Sequence, residues 1–397
     1  MTADDRSPGT AADSSALVAR MGSWLPRMPW WSRPNDGWDA LRRRAYDGPV
    51  LEGYRNRNYR IDVPKALARR LSLQEGTPVK IRVPVSAGYA FDQAVWPDEA
   101  AVLDALKEHL TVIPQVLMTK AGYSVQTFVQ GDVFSGELLR PVTAEDPVLR
   151  GIARFFATLA KIPCADLPES PEGWPADGDC SGFLRTLVEY TEEEVRRPLW
   201  SRYGSLLEEL GFPENAMIRF HDAVPQLTRR PFVLLHADMH PGNMIRALDG
   251  ELHVIDWELA MVGDPLHDLA IHLTRSRYTR NDRRKFIGSW VEEVGEVNRD
   301  AVQGLRQDLP WYLAYQRVRS VYTDVVRTVE AFADDPTPAA LKDATRELRR
   351  IVGRTPLDIC PAPSYGLARS ALLRWHADNG GRGRRRAADR VRGGGSQ

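Results

Sequence analysis

The stretch HADMHPGNMIRALDGELHVIDWELAMVGDPLHDLA, His236 to Ala270, decides how this chain is read. Short apolar runs flank its polar residues: Phe232–Leu235 just before it, Met244–Ile245 and Val254–Ile255 within it. Asp249-Gly250, between MIRAL and ELHVID, is a strong hairpin signal, so the chain on either side of it returns to one place. Asp238 and Asn243, with Pro241-Gly242 between them, precede the hairpin, and Asp256 follows it. Asp264 and Pro265 read as the N-cap and first residue of a helix, with Asp268 in its first turn, where negative charge is favoured. These two acids read as structural.

Asp238, Asn243 and Asp256 taken singly are ordinary turn formers. Together they match what phosphoryl transfer needs. A carboxylate must stand by the attacking hydroxyl, and oxygen ligands must hold the Mg²⁺ that bridges the phosphates. The interval from Asp238 to Asn243 repeats the base-to-Asn spacing of the protein-kinase catalytic loop, and the hairpin delivers Asp256 as the Asp-Phe-Gly aspartate is delivered there.

HADMHPGN, VIDWE and GDPLHDLA resemble the aminoglycoside phosphotransferase family and, more loosely, choline kinase and homoserine-kinase-like enzymes. The usual string is HGDLHPGN, then IDWE, then GDP and DLA, so Ala237 replaces Gly and Met239 replaces Leu, both read as mild changes. The resemblance runs from about Val50 to about Phe332. It implies an α+β, two-lobed protein-kinase-like fold with a small β-rich N-lobe and a larger helical C-lobe. It implies ATP and Mg²⁺ as cofactors, Asp238 as catalytic base or acceptor-orienting carboxylate, His236 bracing the loop, and Asn243 and Asp256 as metal ligands.

Upstream, Val50–Val63 reads as strand, Gly/Asn turn and strand, and Thr77–Val85 alternates, with Lys80 and Arg82 sharing one face. Trp96–Leu110 reads as a helix, and Gly122–Asp132 as a strand that stops at Gly131. From Pro147 the pattern turns helical: Pro147–Ala160, Phe183–Arg196, Tyr203–Leu210, Leu266–Ser276, Asp282–Val294, and Trp311 to about Ala333. The organisation expected is a flexible arm over 1–35, a nucleotide-binding lobe over 36–131, a catalytic lobe over 132–355, and a C-terminal extension over 356–397 with a Gly/Arg-rich disordered tail from Gly380. Trp24, Trp30 and Trp31 suggest that part of the arm docks.

For the nucleotide, Gly53–Ile61 resembles the family's loop between its first two strands, with Gly53 and Asn58 as phosphate contacts, although one glycine wraps phosphate less freely than several would. Arg82 is selected by the LRLP frame of some relatives as the cation for the α- and β-phosphates. Lys80 is the fallback and Glu99 the natural ion-pair partner. The backbone near Phe128–Gln130 would meet adenine, a mode that leaves ATP versus GTP open.

Composition narrows the class. In 397 residues Lys+Arg and Asp+Glu both number 53, which argues against a nucleic-acid binder. Three cysteines without a CxxC pair fit a reducing cytoplasm, and neither a signal peptide nor a membrane span is legible. No obligate protein partner is inferable. His240, His267 and His272 match no zinc spacing. The acceptor is read as a hydroxyl of a small molecule, an antibiotic of aminoglycoside, nucleoside or peptide type. Metabolites such as choline, homoserine or a sugar are the alternative, and a pseudokinase is a further one. Glu189, Glu192, Glu193 and Glu194 would suit a polycation but read more readily as a solvated helix face. Glu258, beside Asp256, is better placed to meet a cationic acceptor.

Overall fold

The computed structural model describes residues 50–52, 56–84, 91–120, 123–134, 147–276, 278–356 and 360–393. The expected arm over 1–35 and Gly53 lie outside them. The chain divides into two compact units, Met1–Pro84 and Val85–Gln397.

The first unit is an antiparallel ribbon. β1 (Val50–Glu52) pairs with β2 (Asn56–Asp62), a short helix α1 (Lys65–Arg70) follows, and β3 (Pro78–Pro84) pairs back onto β2. The alternation read from the sequence sets the faces. Tyr59 opposes Ile81 and Ile61 opposes Val79, all four buried, while Asn58 opposes Arg82 and Arg60 opposes Lys80 on the other face.

The second unit begins with α2 (Glu99–Leu106), capped by Asp98, whose side chain accepts from the Ala100 amide. The hairpin β4 (Val116–Lys120)–β5 (Tyr123–Thr127) follows. At Gly131 the sequence suggests a strand end; instead β6 (Gly131–Val133) begins there and pairs with β8 (Met244–Ala247). The glycine marks a close approach: a Cβ at position 131 would lie 2.1 Å from the Arg246 carbonyl oxygen.

Helices α3 (Pro147–Leu159), α4 (Cys180–Tyr190), α5 (Arg197–Glu209) and α6 (Ala216–Ala223) come next. The single helix expected over Phe183–Arg196 is interrupted, because Thr191–Arg196 is π-helical. The Thr191 hydroxyl donates to the Leu187 carbonyl at 2.9 Å, and the Tyr315 hydroxyl donates to the same carbonyl at 3.0 Å. Side-chain bonds to that carbonyl compete with the ladder and widen the turn.

A β island follows: β7 (Val233–Leu235), β8, β9 (Leu252–Val254) and β10 (Met261–Gly263). The helices α7 (Pro265–Arg275), α8 (Arg280–Val297), α9 (Leu305–Asp334), α10 (Pro338–Val352) and α11 (Tyr365–Gly393) complete the unit. α9 starts six residues before Trp311 and runs through Pro310. Where composition argues for disorder from Gly380, α11 runs on to Gly393. Its first half buries Ala368, Ala371, Leu372 and Trp375, which supplies a nucleus from which the Arg- and Ala-containing segment propagates. No helix among the described residues is long and apolar enough to cross a membrane.

Candidate active site

Strands β7 and β10 pair antiparallel, with Leu235 opposite Met261 and Val233 opposite Gly263. Gly263 lets the Phe183 ring close over this ribbon, since a Cβ there would lie 2.3 Å from the ring. Beyond Leu235 the chain turns sharply. Asp268 of α7 holds the turn: its two oxygens accept the amides of His236 at 2.8 Å and Ala237 at 2.7 Å. Burial pushes its carboxyl up to about 7, and the two amide bonds oppose that rise. Ala237 has φ +57°, the left-handed region that glycine occupies freely. Replacement of Gly by Ala, read as mild, therefore falls at a position where the backbone disfavours a side chain.

The other acid of that helix does more than cap it. Asp264 accepts from the Leu266 amide at 3.0 Å, forks with the buried Arg230 at 3.0 and 2.5 Å, and accepts from the Tyr312 hydroxyl at 2.8 Å. Asp308 of α9 takes the other side of Arg230 at 2.6 Å. Arg230 and Asp264 are fully buried, so each charge depends on its partners. Sequence gave no sign of Arg230, because its partners lie 34 and 78 residues away.

His236 is buried and neutral. Its Nε2 donates to the Ile255 carbonyl at 3.0 Å, which leaves Nδ1 to accept the Asp238 amide at 3.2 Å. Burial lowers its pKa to about 4. One ring thus ties the amide of Asp238 to the residue before Asp256. The hairpin ties them again: Met244 opposes Val254, and the Ile255 amide donates to the Asn243 carbonyl at 3.0 Å. Asn243 Nδ2 donates to the Asp238 carbonyl at 3.0 Å and to its carboxylate at 2.9 Å. Asp256 sits at φ +70°, a strained conformation of the kind that concentrates at functional sites. The Asp238 side chain is 19% exposed, open enough to meet a second molecule.

One partner of Asp238 was not foreseen. The Arg275 guanidinium bonds Asp238 Oδ1. Asp268, His272 and Arg275 follow one another at i, i+4 and i+7, so a single face of α7 serves the loop, and that spacing is the signal that could have found Arg275. Between them, His272 places Nδ1 3.3 Å from the Met239 carbonyl and Nε2 2.8 Å from the Tyr278 hydroxyl. His267 packs among the rings of Phe183, Tyr312 and Tyr315. His240 accepts the Gly242 amide at 3.0 Å and reaches Asp238 Oδ2 at 3.4 Å.

The remaining sequence candidates are distributed as follows. Glu99 accepts from Gln126 Nε2 at 2.8 Å and from the Trp257 amide at 2.8 Å. The Gln130 carbonyl accepts the Leu248 amide at 3.3 Å. In the first unit Asn58 and Arg82 are direct cross-strand partners, with Arg82 buried and Lys80 half-buried. Asn58 Oδ1 is buried without a hydrogen bond. Glu189, near the end of α4, lies 3.2 Å from His221, and in the π-helical segment Glu192 pairs with Arg196 and Glu193 with Arg197 at 2.5 Å. Glu258 is half-buried two residues beyond Asp256.

The profile of the phosphotransferase enzyme family matches residues 48–305, which span every loop residue above. The chain belongs to that family. A crystal structure from Ralstonia eutropha JMP134, described as an aminoglycoside phosphotransferase, is 14% identical with a TM-score of 0.51, covering 85% of this chain and 98% of its own. That likeness shows the expected fold, α+β and kinase-like with a β-rich lobe and a helical one. A choline/ethanolamine kinase family protein from Mesorhizobium loti is 15% identical, with a TM-score of 0.46 and coverage of 85% and 99%. A macrolide 2'-phosphotransferase from Brachybacterium faecium is 16% identical, with a TM-score of 0.43 and coverage of 76% and 90%. No curated protein matches significantly.

Members of the phosphotransferase enzyme family are phosphotransferases that generally use ATP and Mg²⁺, and the donor set here fits such an ion. With Nδ2 committed to Asp238, Asn243 has its amide oxygen left to offer, and Asp256 adds a carboxylate. Mg²⁺ takes one or two protein carboxylates and completes its shell with phosphates and water. Among the described residues no cluster of three or more His, Cys, Asp or Glu could hold a metal alone. The pair therefore suits an ion that arrives with phosphate.

Proposed function

We propose that this member of the phosphotransferase enzyme family is an ATP-dependent O-phosphotransferase acting on a hydroxyl of a small molecule. The observation that carries the reading is the partly exposed Asp238 carboxylate, fixed by Asn243, beside a hairpin that delivers Asp256. In this role Asp238 orients the acceptor hydroxyl and takes its proton as the oxygen attacks the terminal phosphorus of ATP, while the bond from that phosphorus to the bridging oxygen breaks and ADP leaves. His236 holds the loop without carrying charge. Asn243 and Asp256 hold Mg²⁺, whose chemistry is to neutralise charge on the transferring phosphates. Arg82 binds the phosphates with Lys80 as fallback. Asn58, Gly53, Glu99 and the backbone near Gln130 serve the nucleotide. An antibiotic acceptor of nucleoside or peptide type remains in this reading. The polycationic aminoglycoside gains less from the glutamate face than its four acids suggest, since Glu192 and Glu193 pair with arginines.

The test is ADP release from ATP and Mg²⁺ against a panel of hydroxyl compounds, with Asp238→Asn in parallel. The variant should lose about 10²–10⁴ in turnover while binding ATP within a few-fold of wild type. Turnover near wild type in Asp238→Asn would remove the assignment.

A further inference from the structure

Both oxygens of the Asp238 carboxylate are occupied: Asn243 donates to Oδ2 at 2.9 Å and Arg275 to Oδ1. Each carboxylate oxygen carries a second lone pair, so a hydroxyl that gives its proton to Asp238 binds beside one of these donors, within reach of both. Asn243 is short and buried, and its backbone is bonded on both sides, N–H to the His240 carbonyl at 2.9 Å and carbonyl to the Ile255 amide at 3.0 Å. Arg275 is the movable partner, a long side chain in the last turn of α7 that is 43% exposed.

A guanidinium that shares Asp238 with an acceptor attracts any anion the acceptor brings, because a partly desolvated charge is costly to leave under-paired. The groups acting on Arg275 are Asp92 and Asp324, which attract it, and Arg319 and Arg327 of α9, which repel it. Asp92 is already paired with Arg319, and Asp324 lies 4.0 Å from Arg327. Burial lowers the guanidinium to about 10, so it stays charged near neutrality.

We propose that the acceptor supplies the missing partner: it is a small hydroxylated anion, with a carboxylate or phosphate next to the reacting hydroxyl, and Arg275 selects it. This rests on the kinase reading. The guanidinium fork matches two oxyanion oxygens, so the residue that holds the base also positions the acceptor's acid group. A cationic acceptor would meet the like charge of Arg275 beside Asp238.

The experiment has two arms. In the first, ADP release is measured with matched hydroxyl compounds: hydroxy acids, sugar phosphates, their neutral parents, choline and an aminoglycoside. In the second, glycolate and glycerol 3-phosphate are titrated by calorimetry into wild type and Arg275→Ala, each saturated with a non-hydrolysable ATP analogue and checked for folding by thermal melting. An anionic arm should be preferred over its neutral parent by about tenfold or more, and which one identifies the acid group. Arg275→Ala should raise KM for that acceptor about 10- to 100-fold with KM for ATP little changed, and Arg275→Lys should recover part of the loss. Preference for a neutral or cationic acceptor overturns the proposal and leaves the kinase reading standing. Equal anion binding by wild type and variant, or none by either, also overturns it, as does a parallel rise in both KM values. No nucleotide binding at all would overturn the kinase reading itself, and this inference with it.

Discussion

The Glu99 carboxylate accepts the backbone amide of Trp257 at 2.8 Å, one residue beyond Asp256, and its other oxygen accepts Gln126 Nε2 at 2.8 Å. The first residue of α2 therefore fixes the exit of the hairpin that carries the proposed metal carboxylate. His236 fixes the entry through the Ile255 carbonyl. Asp256 is held between two buried anchors, which explains how a residue at φ +70° keeps one conformation.

Metal dependence should grade along this chain of support. Asp256→Ala should raise the Mg²⁺ requirement most, because it removes charge from the ion, and Asn243→Ala less. Glu99→Ala should raise it mildly and also cost about 1–3 kcal/mol of stability, because the Trp257 amide is left buried and unpaired. Initial rates against Mg²⁺ concentration, with urea melts, read both effects. Wild-type Mg²⁺ dependence in Asp256→Ala and Asn243→Ala would make the hairpin purely structural.

Arg82 and Lys80 can be ranked by nucleotide titration. Arg82 is buried opposite Asn58, whose Oδ1 lacks a hydrogen bond, while Lys80 is half-buried opposite Arg60. Arg82→Ala should weaken ATP binding strongly and Lys80→Ala mildly, since a guanidinium forks between phosphate oxygens. The reverse order would move the phosphate role to Lys80.

Ala237→Gly should stabilise the protein. At φ +57° an L side chain costs about 1–2 kcal/mol, of which glycine's freer unfolded chain returns roughly half, for a net gain of about 0.5–1 kcal/mol. A higher urea midpoint at unchanged slope is the expected signature. A loss of stability would mean that the Ala237 methyl contributes more by packing than its backbone costs.

Acid should destabilise the fold well above carboxylate pH. Burial lowers His236 to about 4 and His267 and His272 to about 3, from 6.5. Depressed pKa values give stability that is present above 6.5 and lost as pH falls towards 4 and 3. Asp268, raised from 3.8 to about 7, acts in the opposite sense, with its contribution present below 3.8 and lost as pH rises through 7. Three imidazoles against one carboxyl leave a net uptake on unfolding of about two protons near pH 5, so Tm should fall between pH 6.5 and 5. A flat Tm over that range would show that the histidines are not buried as described.

The sequence alone determined the loop from Asp238 to Asp256, because its information is local. A Pro-Gly turn, an Asp-Gly hairpin and apolar strand edges dictate that Asp238, Asn243 and Asp256 return to one place, and alternation set the faces of β3. It did not reveal Arg230, the Glu99–Trp257 bond or the hold of Arg275 on Asp238. The first two join residues 34 and 158 positions apart, where a single chain carries no periodicity; the helix face that Arg275 shares with Asp268 and His272 is legible, but it does not name Asp238, 37 positions away, as the partner. The break in the helix after Tyr190 was hidden for the same reason, since it depends on a hydroxyl arriving from Tyr315. Gly131 was misread because a strand end and a close backbone approach call for the same residue. Local chemistry follows from neighbours in sequence; buried charge pairs and the partners of the Asp238 carboxylate follow only from which distant elements pack together.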